Sequence, residues 1–468
     1  MGTQVNDIDL NIGNAEVSSE ISGTGYKQEL NRVLTVKDLV VFGLIIMLTI
    51  APCEVFGPVA QAVNGMAPVV YLVGVIAMIF TAVSYARMSG EFPIAGSIYS
   101  YVQRGINPHI GFVIGWTVTM DYIVIPALLC SFTGIWLHKI MPAVPTYVFI
   151  VIFLFINTFI NYRGIEFTAK ANKIMLIVEL VIIALFFAFG IKYVFVNGLG
   201  AGGFSLAPFY QPGKVDFSLI STSASIAVLG FIGFDCISTL SEEVKEPRKT
   251  IGKATIISLL LIGVLFVGQS YMATLIHPAY ADLDPDMAWF DICREAGGLF
   301  LYYAWIIVAA VAVGIANTLA IQSSIARLLF AMSRDNTIPG AKWLGKIHPK
   351  YKTPANALIF TAIITLGVAL VPVMILATLV NFGALVAYMM INIAVLVHFF
   401  IRKKNRGLKG FLKYCLVPMV GFFIVLYVWL GLNSLTFTLG FVWMGVGIII
   451  GAIKSKGYKE VPPTLKEV

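Results

Sequence analysis

Long apolar segments separated by short polar connections run along almost the whole chain. A membrane helix needs about 20 apolar residues to cross a bilayer, and twelve segments approach or exceed that length. They cover residues 36–62, 67–90, 109–137, 145–161, 169–195, 217–240, 251–276, 298–332, 355–372, 375–400, 411–432 and 434–452. The pattern predicts an all-α polytopic membrane protein with twelve transmembrane helices.

Two of these segments are interrupted by residues that break helices. The first carries Ala51-Pro52-Cys53-Glu54 at its centre, and the sixth carries Gly230 and Gly233 followed by Asp235. Non-helical backbone at membrane depth is tolerated only where protein or water satisfies it. A carboxylate there costs about 2.5–3.5 kcal/mol on insertion scales, so it normally faces a cavity or a partner. Paired interruptions in the two halves predict a transporter whose substrate site forms at the breaks of an inverted repeat.

Composition and charge support this interpretation. The chain is 59% hydrophobic and 12% charged, with a mean hydropathy of +0.89, whereas soluble domains are about 25% charged. If the N-terminus is cytoplasmic, the twelve spans place all but four of the 32 lysines and arginines on the cytoplasmic side, a distribution that satisfies the positive-inside rule. The four exceptions are Lys139, Lys192, Lys214 and Arg294. The net charge of +8 therefore follows from topology, with both termini inside.

Further carboxylates lie inside predicted spans without a basic residue at the same depth. Asp121 lies in the third segment and Glu179 in the fifth. Buried carboxylates without basic partners must be protonated, solvated or matched by a cationic ligand. The five cysteines are scattered, so we expect no disulfide framework and no metal site.

Several motifs give the sequence a family resemblance. They are Glu91-Phe-Pro-Ile-Ala-Gly-Ser-Ile-Tyr99, Ile106-Asn-Pro-His-Ile-Gly-Phe112 with Gly115-Trp116, Gly233-Phe-Asp235, Ser241-Glu-Glu-Val-Lys-Glu-Pro-Arg248, Arg327-Leu-Leu-Phe-Ala-Met-Ser-Arg-Asp-Asn336 and Asn381-Phe-Gly-Ala-Leu-Val386. In this order the sequence resembles the amino acid–polyamine–organocation superfamily of secondary transporters, and within it the bacterial putrescine importers.

The polar N-terminal composition and the distribution of basic residues predict the two tails, and the resemblance implies a five-plus-five inverted repeat followed by two extra helices. We expect a disordered cytoplasmic tail over residues 1–35, an integral membrane domain over 36–452 and a cytoplasmic tail over 453–468. Within the domain, repeat one covers about 36–195, repeat two about 217–400 and two extra helices about 411–452. The substrate would lie between the breaks of helices one and six, beside helices three, eight and ten.

The first break departs from the pattern of the α-amino acid permeases in the superfamily. Their helix-one break usually has closely spaced glycines whose amides bind the substrate carboxylate, whereas this chain has an acidic residue before Phe56-Gly57. The departure favours an amine over an α-carboxylate. The substrate-binding candidates are Ala51, Pro52, Cys53, Glu54, Asp121, Tyr122, Phe231, Gly233, Phe234 and Asp235. For Asp235 a gating or structural role is the alternative, and for the aromatic residues it is core packing.

The resemblance also suggests which residues would bind the coupling ion. Many proton-coupled relatives place a lysine where this chain has Glu179, and sodium-coupled relatives place hydroxyl ligands near Ser323 and Ser324. Paired serines in a membrane helix also serve packing or bond back to their own helix. The pattern favours the proton over sodium.

The expected function is import of a small organic cation, putrescine or a related diamine, by proton symport with alternating access. The alternative is an amino-acid permease or an amine/amino-acid exchanger. A channel would need a filter motif and an enzyme a catalytic motif, and neither stands out in the sequence. We expect a plasma-membrane protein, in a bacterial inner membrane, whose partners are the amine, the proton and the lipid bilayer, with no nucleic acid and no cofactor. The sequence predicts no oligomeric state.

Overall fold

The computed structural model describes residues 30–214, 228–284 and 287–460. Within these ranges the chain is helical, apart from one isolated bridge between Leu34 and Val244. Most of the predicted N-terminal tail, the start of the sixth segment and the end of the C-terminal tail lie outside the described residues.

The first apolar segment consists of two helices. Helix α1 spans Val36–Ile46 and begins at a capping box formed by Thr35 and Asp38. Helix α2 spans Pro52–Ala62. Pro52 occupies the first turn of α2, where its missing N–H costs no helical hydrogen bond. The interruption covers residues 47–51, so it lies just before the predicted position, and Pro52, Cys53 and Glu54 belong to the first turn of α2.

Five helices follow before the sixth segment. They are α3 (Ala67–Glu91), α4 (Ser97–Gly105), α5 (Pro108–Ile140), α6 (Thr146–Tyr162) and α7 (Ile165–Ile191), and α7 ends in a π turn over Lys192–Val196. Helix α4 was not expected from the hydrophobic pattern, because its nine residues mix polar and apolar side chains.

The described part of the sixth segment is also broken. Two 3-10 stretches, Val228–Phe231 and Phe234–Glu243, are separated by Ile232 and Gly233. Gly233 has a φ of 116°, a conformation that side chains with a Cβ rarely adopt. A Cβ at Gly233 would also lie 3.1 Å from the carbonyl oxygen of Ile46. Glycine therefore permits the turn and lets the two breaks touch.

The remaining helices complete the described chain. They are α8 (Pro247–Ile276), α9 (Ala288–Val311), α10 (Thr318–Arg334), α11 (Ala341–Leu344), α12 (Ala355–Val368), α13 (Val373–Val395), α14 (Leu408–Phe411), α15 (Val417–Leu430) and α16 (Ser434–Lys454). Three of the junctions are π turns, over Ala312–Asn317, Leu396–Arg402 and Leu412–Leu416.

One boundary expected from the sequence is wrong. The sequence predicts an outer loop over residues 277–297, which carries four aspartates (Asp282, Asp284, Asp286 and Asp291), but residues 288–297 form the first turns of α9. Trp289, Phe290 and Ile292 are buried there. The backbone leaves helical geometry at Gly298, where φ is 65°, so the expected start of the eighth segment coincides with a kink.

The helices form a multi-pass membrane protein. Eight helical stretches in the described residues are long and apolar enough to cross a bilayer, and two shorter apolar helices, Thr146–Tyr162 and Ala355–Val368, accompany them. Helix α3 packs along α8, α5 packs along α13, and α7 packs against α9. The two interrupted segments lie among these pairs, so the breaks are in the interior.

Candidate functional site

A small cavity lies between the two helix breaks. It has a volume of about 30 Å³, enough for about two water molecules. Its walls come from the first break, from α5, from the sixth segment and from the turn between α9 and α10. The lining residues are Ile46, Met47, Leu48, Ala51, Glu54, Ile125, Leu128, Leu129, Gly230, Ile232, Asn317 and Ile321.

Among the described residues that line the cavity, Glu54 is the only one with a carboxylate. It lies in the first turn of α2. Its Oε1 atom is buried and has no hydrogen-bond partner among the described residues. A polar atom left in this state in a low-dielectric interior costs free energy until a donor reaches it. The geometry therefore leaves Glu54 available for a ligand that carries N–H groups.

The unwound backbone between α1 and α2 is held by three side chains from other helices. Glu179 of α7 accepts hydrogen bonds from the backbone N–H of Thr49, at 3.3 Å, and from its hydroxyl. Gln269 of α8 donates to the carbonyl of Thr49 at 2.8 Å. Asn317 donates to the carbonyl of Ile46 at 3.0 Å. These bonds satisfy backbone groups that a continuous helix would have paired internally.

The backbone amides at this break are largely engaged. The N–H groups of Leu48, Ala51, Cys53 and Glu54 donate to carbonyl oxygens three residues earlier, at distances of 2.9–3.0 Å. The amide of Thr49 donates to Glu179, and Pro52 has none. A ligand carboxylate would thus find few free donors here.

Asp235, just beyond the second break, lies among tyrosines. Its carboxylate accepts the hydroxyl groups of Tyr122 and, at 3.0 Å, of Tyr388. The thiol of Cys236 donates to the Tyr122 oxygen at 3.0 Å. The ring of Phe234 stacks on Tyr388 with centroids 5.0 Å apart, and Tyr85 meets Phe234 edge-on at 5.6 Å. Asp235 is 3% exposed, so this is a buried, aromatic-walled carboxylate.

Asp121 is in a different environment. Its two carboxylate oxygens accept the backbone N–H groups of Gly383, at 3.2 Å, and of Ala384, at 2.5 Å, in the middle of α13. It does not line the cavity, although Ile125, one turn further along α5, does. The contact joins α5 to α13.

The other predicted site residues are placed as follows. Ala51 lines the cavity, while Pro52 and Cys53 are buried at the start of α2. Phe231 is buried against Phe266, with ring centroids 5.1 Å apart. Of these residues, only Ala51 borders the cavity in this conformation.

The predicted coupling residues do not meet at one point. Glu179 lies at the first break, whereas Ser323 accepts Arg327 through its hydroxyl and, at 2.8 Å, through its carbonyl. The hydroxyl of Ser324 donates to the carbonyl of Ala320 at 3.0 Å. Ser323 therefore faces a guanidinium, and Ser324 bonds back to its own helix.

Two ion pairs close the predicted cytoplasmic side. The guanidinium of Arg327 contacts both oxygens of Glu243, at 2.5 and 3.0 Å, and that of Arg334 contacts both oxygens of Glu242, at 3.1 and 2.9 Å. The backbone N–H of Leu34 donates to the carbonyl of Glu243 at 3.0 Å. Two motifs that carry the family resemblance thus pair with each other and with the start of α1.

Sequence reasoning missed several residues of the site. Thr49, Gln269 and Asn317 are polar residues inside apolar segments, and that signal was available in the sequence. Apolar lining residues such as Leu128 and Ile321 carry no such signal, since a cavity wall and a packed core use the same residue types.

Broken membrane helices around a buried carboxylate are typical of membrane transport proteins, and the family match identifies a permease rather than an enzyme. The family profile of the amino acid permeases matches residues 42–454, so the chain belongs to the amino acid permease family, in the amino acid–polyamine–organocation superfamily. The expected superfamily is thereby confirmed.

Relatives of similar length carry different substrate names. The low-affinity putrescine importer PlaP of Escherichia coli is 31% identical over 97% of this chain and 100% of its own length. The branched-chain amino acid permease BcaP of Bacillus subtilis is 28% identical over 94% of this chain and 97% of its own. A methylthioribose transporter of Bacillus subtilis is 29% identical over 93% of this chain and 96% of its own.

Proposed function

We propose that the chain is a secondary active importer of a small organic cation, putrescine or a related diamine, working by alternating access. The observation that carries this proposal is the carboxylate of Glu54 on the cavity wall, with a buried oxygen that lacks a partner among the described residues. A charged group at this depth is matched by a counter-charge, and an ammonium ion supplies both the charge and the N–H donors. Similarity to the putrescine importer PlaP supports the substrate class.

The main alternative substrate is an amino acid, and similarity to the branched-chain amino acid permease BcaP favours it. An amino acid also carries an ammonium group, but its carboxylate needs donors. The amides of Leu48, Ala51, Cys53 and Glu54 are already paired within the backbone. Binding a carboxylate there would mean breaking those bonds or leaving the carboxylate unsatisfied beside Glu54. The geometry therefore supports an amine over an α-amino acid.

A binding site for a diamine needs polar groups at both ends, one set for each ammonium group. We propose that the far ammonium of the diamine goes to the tyrosines around Asp235, because their ring faces and hydroxyl oxygens attract cations. Asp121 is less suited, since both of its oxygens already bind amides of α13. The cavity holds only about two waters, so binding requires it to widen.

Proton symport is the proposed coupling, with Glu179 as the proton carrier. Its Oε2 atom accepts two hydrogen bonds from Thr49, so its protonation state bears on the backbone of the first break. Its Oε1 atom is buried without a partner among the described residues, which leaves a place for a proton. Sodium is disfavoured at Ser323, because Arg327 already brings a positive charge to that hydroxyl.

We further propose twelve crossings in a five-plus-five inverted repeat, in a bacterial inner membrane with both termini cytoplasmic. The packing of α5 on α13 and of α7 on α9 supports the repeat, because an inverted repeat would make these two contacts equivalent. The membrane potential then favours import, since each charge gains about 2.3 kcal/mol and a dication about 4.6 kcal/mol per 100 mV.

The test is uptake and binding by the purified protein. In sealed liposomes we expect saturable uptake of radiolabelled putrescine, competed by diamines and weakly or not at all by leucine. An imposed inward proton gradient should drive accumulation above the external concentration. Saturable uptake of leucine with no competition by putrescine would overturn the substrate class, and flux that never saturates would indicate a channel.

A further inference from the structure

Asn172, on α7, is a buried amide that the described structure leaves without partners. It is 1% exposed, and neither its Oδ1 nor its Nδ2 atom has a hydrogen-bond partner among the described residues. Buried amides are nearly always paired with protein or with ordered water. Asn172 is thus equipped to hold water.

A small cavity adjoins this side chain. It has a volume of about 10 Å³, close to the least that admits one water molecule. Asp38 and Phe42 of α1, Thr168 and Asn172 of α7, and Leu240 of the sixth segment are among its walls. Thr168 also borders a second cavity of about 10 Å³, whose polar walls include Asn161, Ser323 and Arg327. Thr168, one helical turn before Asn172 on α7, therefore borders both of these small cavities on the predicted cytoplasmic side.

Asn172 and Glu179 share the buried face of α7. They are seven residues apart, two helical turns, or about 10.5 Å along the axis. Leu176, which is 8% exposed, lies between them on that face. In this conformation about two helical turns, with the apolar side chain of Leu176 between them, separate the carboxyl group of Glu179 from the cavity.

We propose that Asn172 holds the water through which the proton of Glu179 leaves to the cytoplasm. This rests on the proposed function, in which Glu179 carries the coupled proton. When α1 moves away from α7, water extends from the cavity past Leu176. The O–H bond of the Glu179 carboxylic acid then breaks, the proton forms a new O–H bond on that water, and Glu179 is left as a carboxylate. Asn172 orients the water and is not itself protonated.

The charged groups around this route are few in the described structure. Asp38 of α1 faces the cavity and is paired with Lys173 at 2.6 Å, so this ion pair marks the cytoplasmic mouth. Arg327, bound to Glu243, stands at the wall of the second cavity. Asp38 and Arg327 both have partners, so among the described residues that line the two cavities the proton meets no free base between Glu179 and the mouth.

The experiment compares Asn172→Leu with Asn172→Ala in proteoliposomes. Leucine fills the space with apolar atoms, whereas alanine leaves room for water. With Asn172→Leu we expect proton-gradient-driven uptake to fall by about tenfold or more, as for a lost hydrogen-bonded step. Exchange of internal for external substrate, which moves no net proton, should stay within about twofold. With Asn172→Ala, which leaves room for water but removes the amide that orients it, driven uptake should fall less than with leucine, and exchange should again stay within about twofold. Asn172→Val replaces leucine if the leucine variant does not insert.

The possible results of this experiment distinguish the proposed proton route past Asn172 from the proposed role of Glu179 as the proton carrier. If Asn172→Leu keeps the normal ratio of driven uptake to exchange while Glu179→Gln loses driven uptake, the route is wrong and the role of Glu179 stands. If Glu179→Gln also keeps driven uptake, the proposed coupling is wrong. Loss of exchange together with driven uptake in the leucine and valine variants, with normal thermal stability, would also overturn the route, because it would give Asn172 a role in the transport cycle itself.

Discussion

The carboxylate of Asp121 on α5 accepts the backbone N–H of Ala384, in the middle of α13, at 2.5 Å. Its other oxygen accepts the N–H of Gly383 at 3.2 Å. A Cβ at Gly383 would lie 2.9 Å from Asp121 Oδ1, so the glycine makes this approach possible. Asp121, which the sequence predicts to bind the substrate, thus connects helices α5 and α13.

We expect Asp121→Asn to destabilise the protein more than it weakens substrate binding. An amide side chain keeps one acceptor and turns an NH₂ group toward a backbone N–H, which leaves a buried donor unpaired at a cost of about 1–3 kcal/mol. Thermal unfolding in detergent and equilibrium binding of putrescine measure the two effects. A normal midpoint of unfolding with lost binding would instead make Asp121 a substrate ligand.

We expect Glu54→Gln to weaken putrescine binding by about 10- to 150-fold, because a charge-assisted hydrogen bond contributes roughly 1.5–3 kcal/mol. Glutamine keeps the size of the side chain and removes its charge, so insertion and folding should be preserved. Glu166→Gln, at an exposed carboxylate of α7, is the matched control and should bind normally. If Glu54→Gln and Glu166→Gln bound putrescine with equal affinity, Glu54 would not be part of the binding site.

Glu179→Gln should abolish uptake driven by a pH gradient and leave exchange intact. Glutamine can still accept a hydrogen bond from Thr49 through its amide oxygen, so the break keeps a partner, but it cannot carry the proton. Uptake with and without an imposed gradient, in the same liposome preparation, gives the comparison. A variant that still concentrates substrate when the gradient is applied would show that another group carries the proton.

The buried ion pair between Arg327 and Glu243 should be costly to break from one side. Their side chains are 6% and 3% exposed, so Arg327→Met alone leaves an unpaired buried carboxylate, at a cost of about 3–5 kcal/mol. Replacing both residues by methionine should restore much of that loss. Thermal unfolding of the single and double variants measures the difference.

An exposed pair provides the control for this comparison. Lys249 and Glu246 lie 3.8 Å apart with side chains that are 86% and 71% exposed. Lys249→Met should change stability by less than about 1 kcal/mol, since exposed ion pairs contribute little. If the buried double variant were no more stable than Arg327→Met alone, the cost would come from something other than the unpaired charge.

The orientation of the chain can be tested by labelling. Single cysteines at Lys249 and Asp282, both exposed, should react differently with a membrane-impermeant maleimide. We expect position 282 to react on intact cells and position 249 only after permeabilisation. Cys415, the least buried native cysteine, is first replaced by serine, because the other four are buried. Labelling of position 249 on intact cells would contradict the cytoplasmic placement of that loop.

Local features of the fold followed from the sequence, and long-range contacts did not. Pro52 and Gly233 identify the two breaks because proline and glycine act on their own backbone. The contact between Thr49 and Glu179 joins residues 130 positions apart, and hydrophobic pattern carries no information about such a pairing. The placement of Asp121 on α13 was unpredictable for the same reason. Residues 277–297 look polar in the sequence, so the first turns of α9 were not expected there. The apolar residues of this stretch occupy only two or three helical turns.

The three side chains that bind the backbone of the first break also determine when this part of the protein can reach its final structure during synthesis. Thr49 and Ile46 emerge from the ribosome early, but their partners Glu179, Gln269 and Asn317 follow 130, 220 and 271 residues later. Until those helices are synthesised, the unpaired backbone of the first break must be satisfied by water or by the insertion machinery, because lipid offers no donors or acceptors. The segment over residues 36–62 is therefore synthesised before its partners but reaches its final structure only after them, and a chain truncated before α8 would lack Gln269 and Asn317, which bind the backbone of the break.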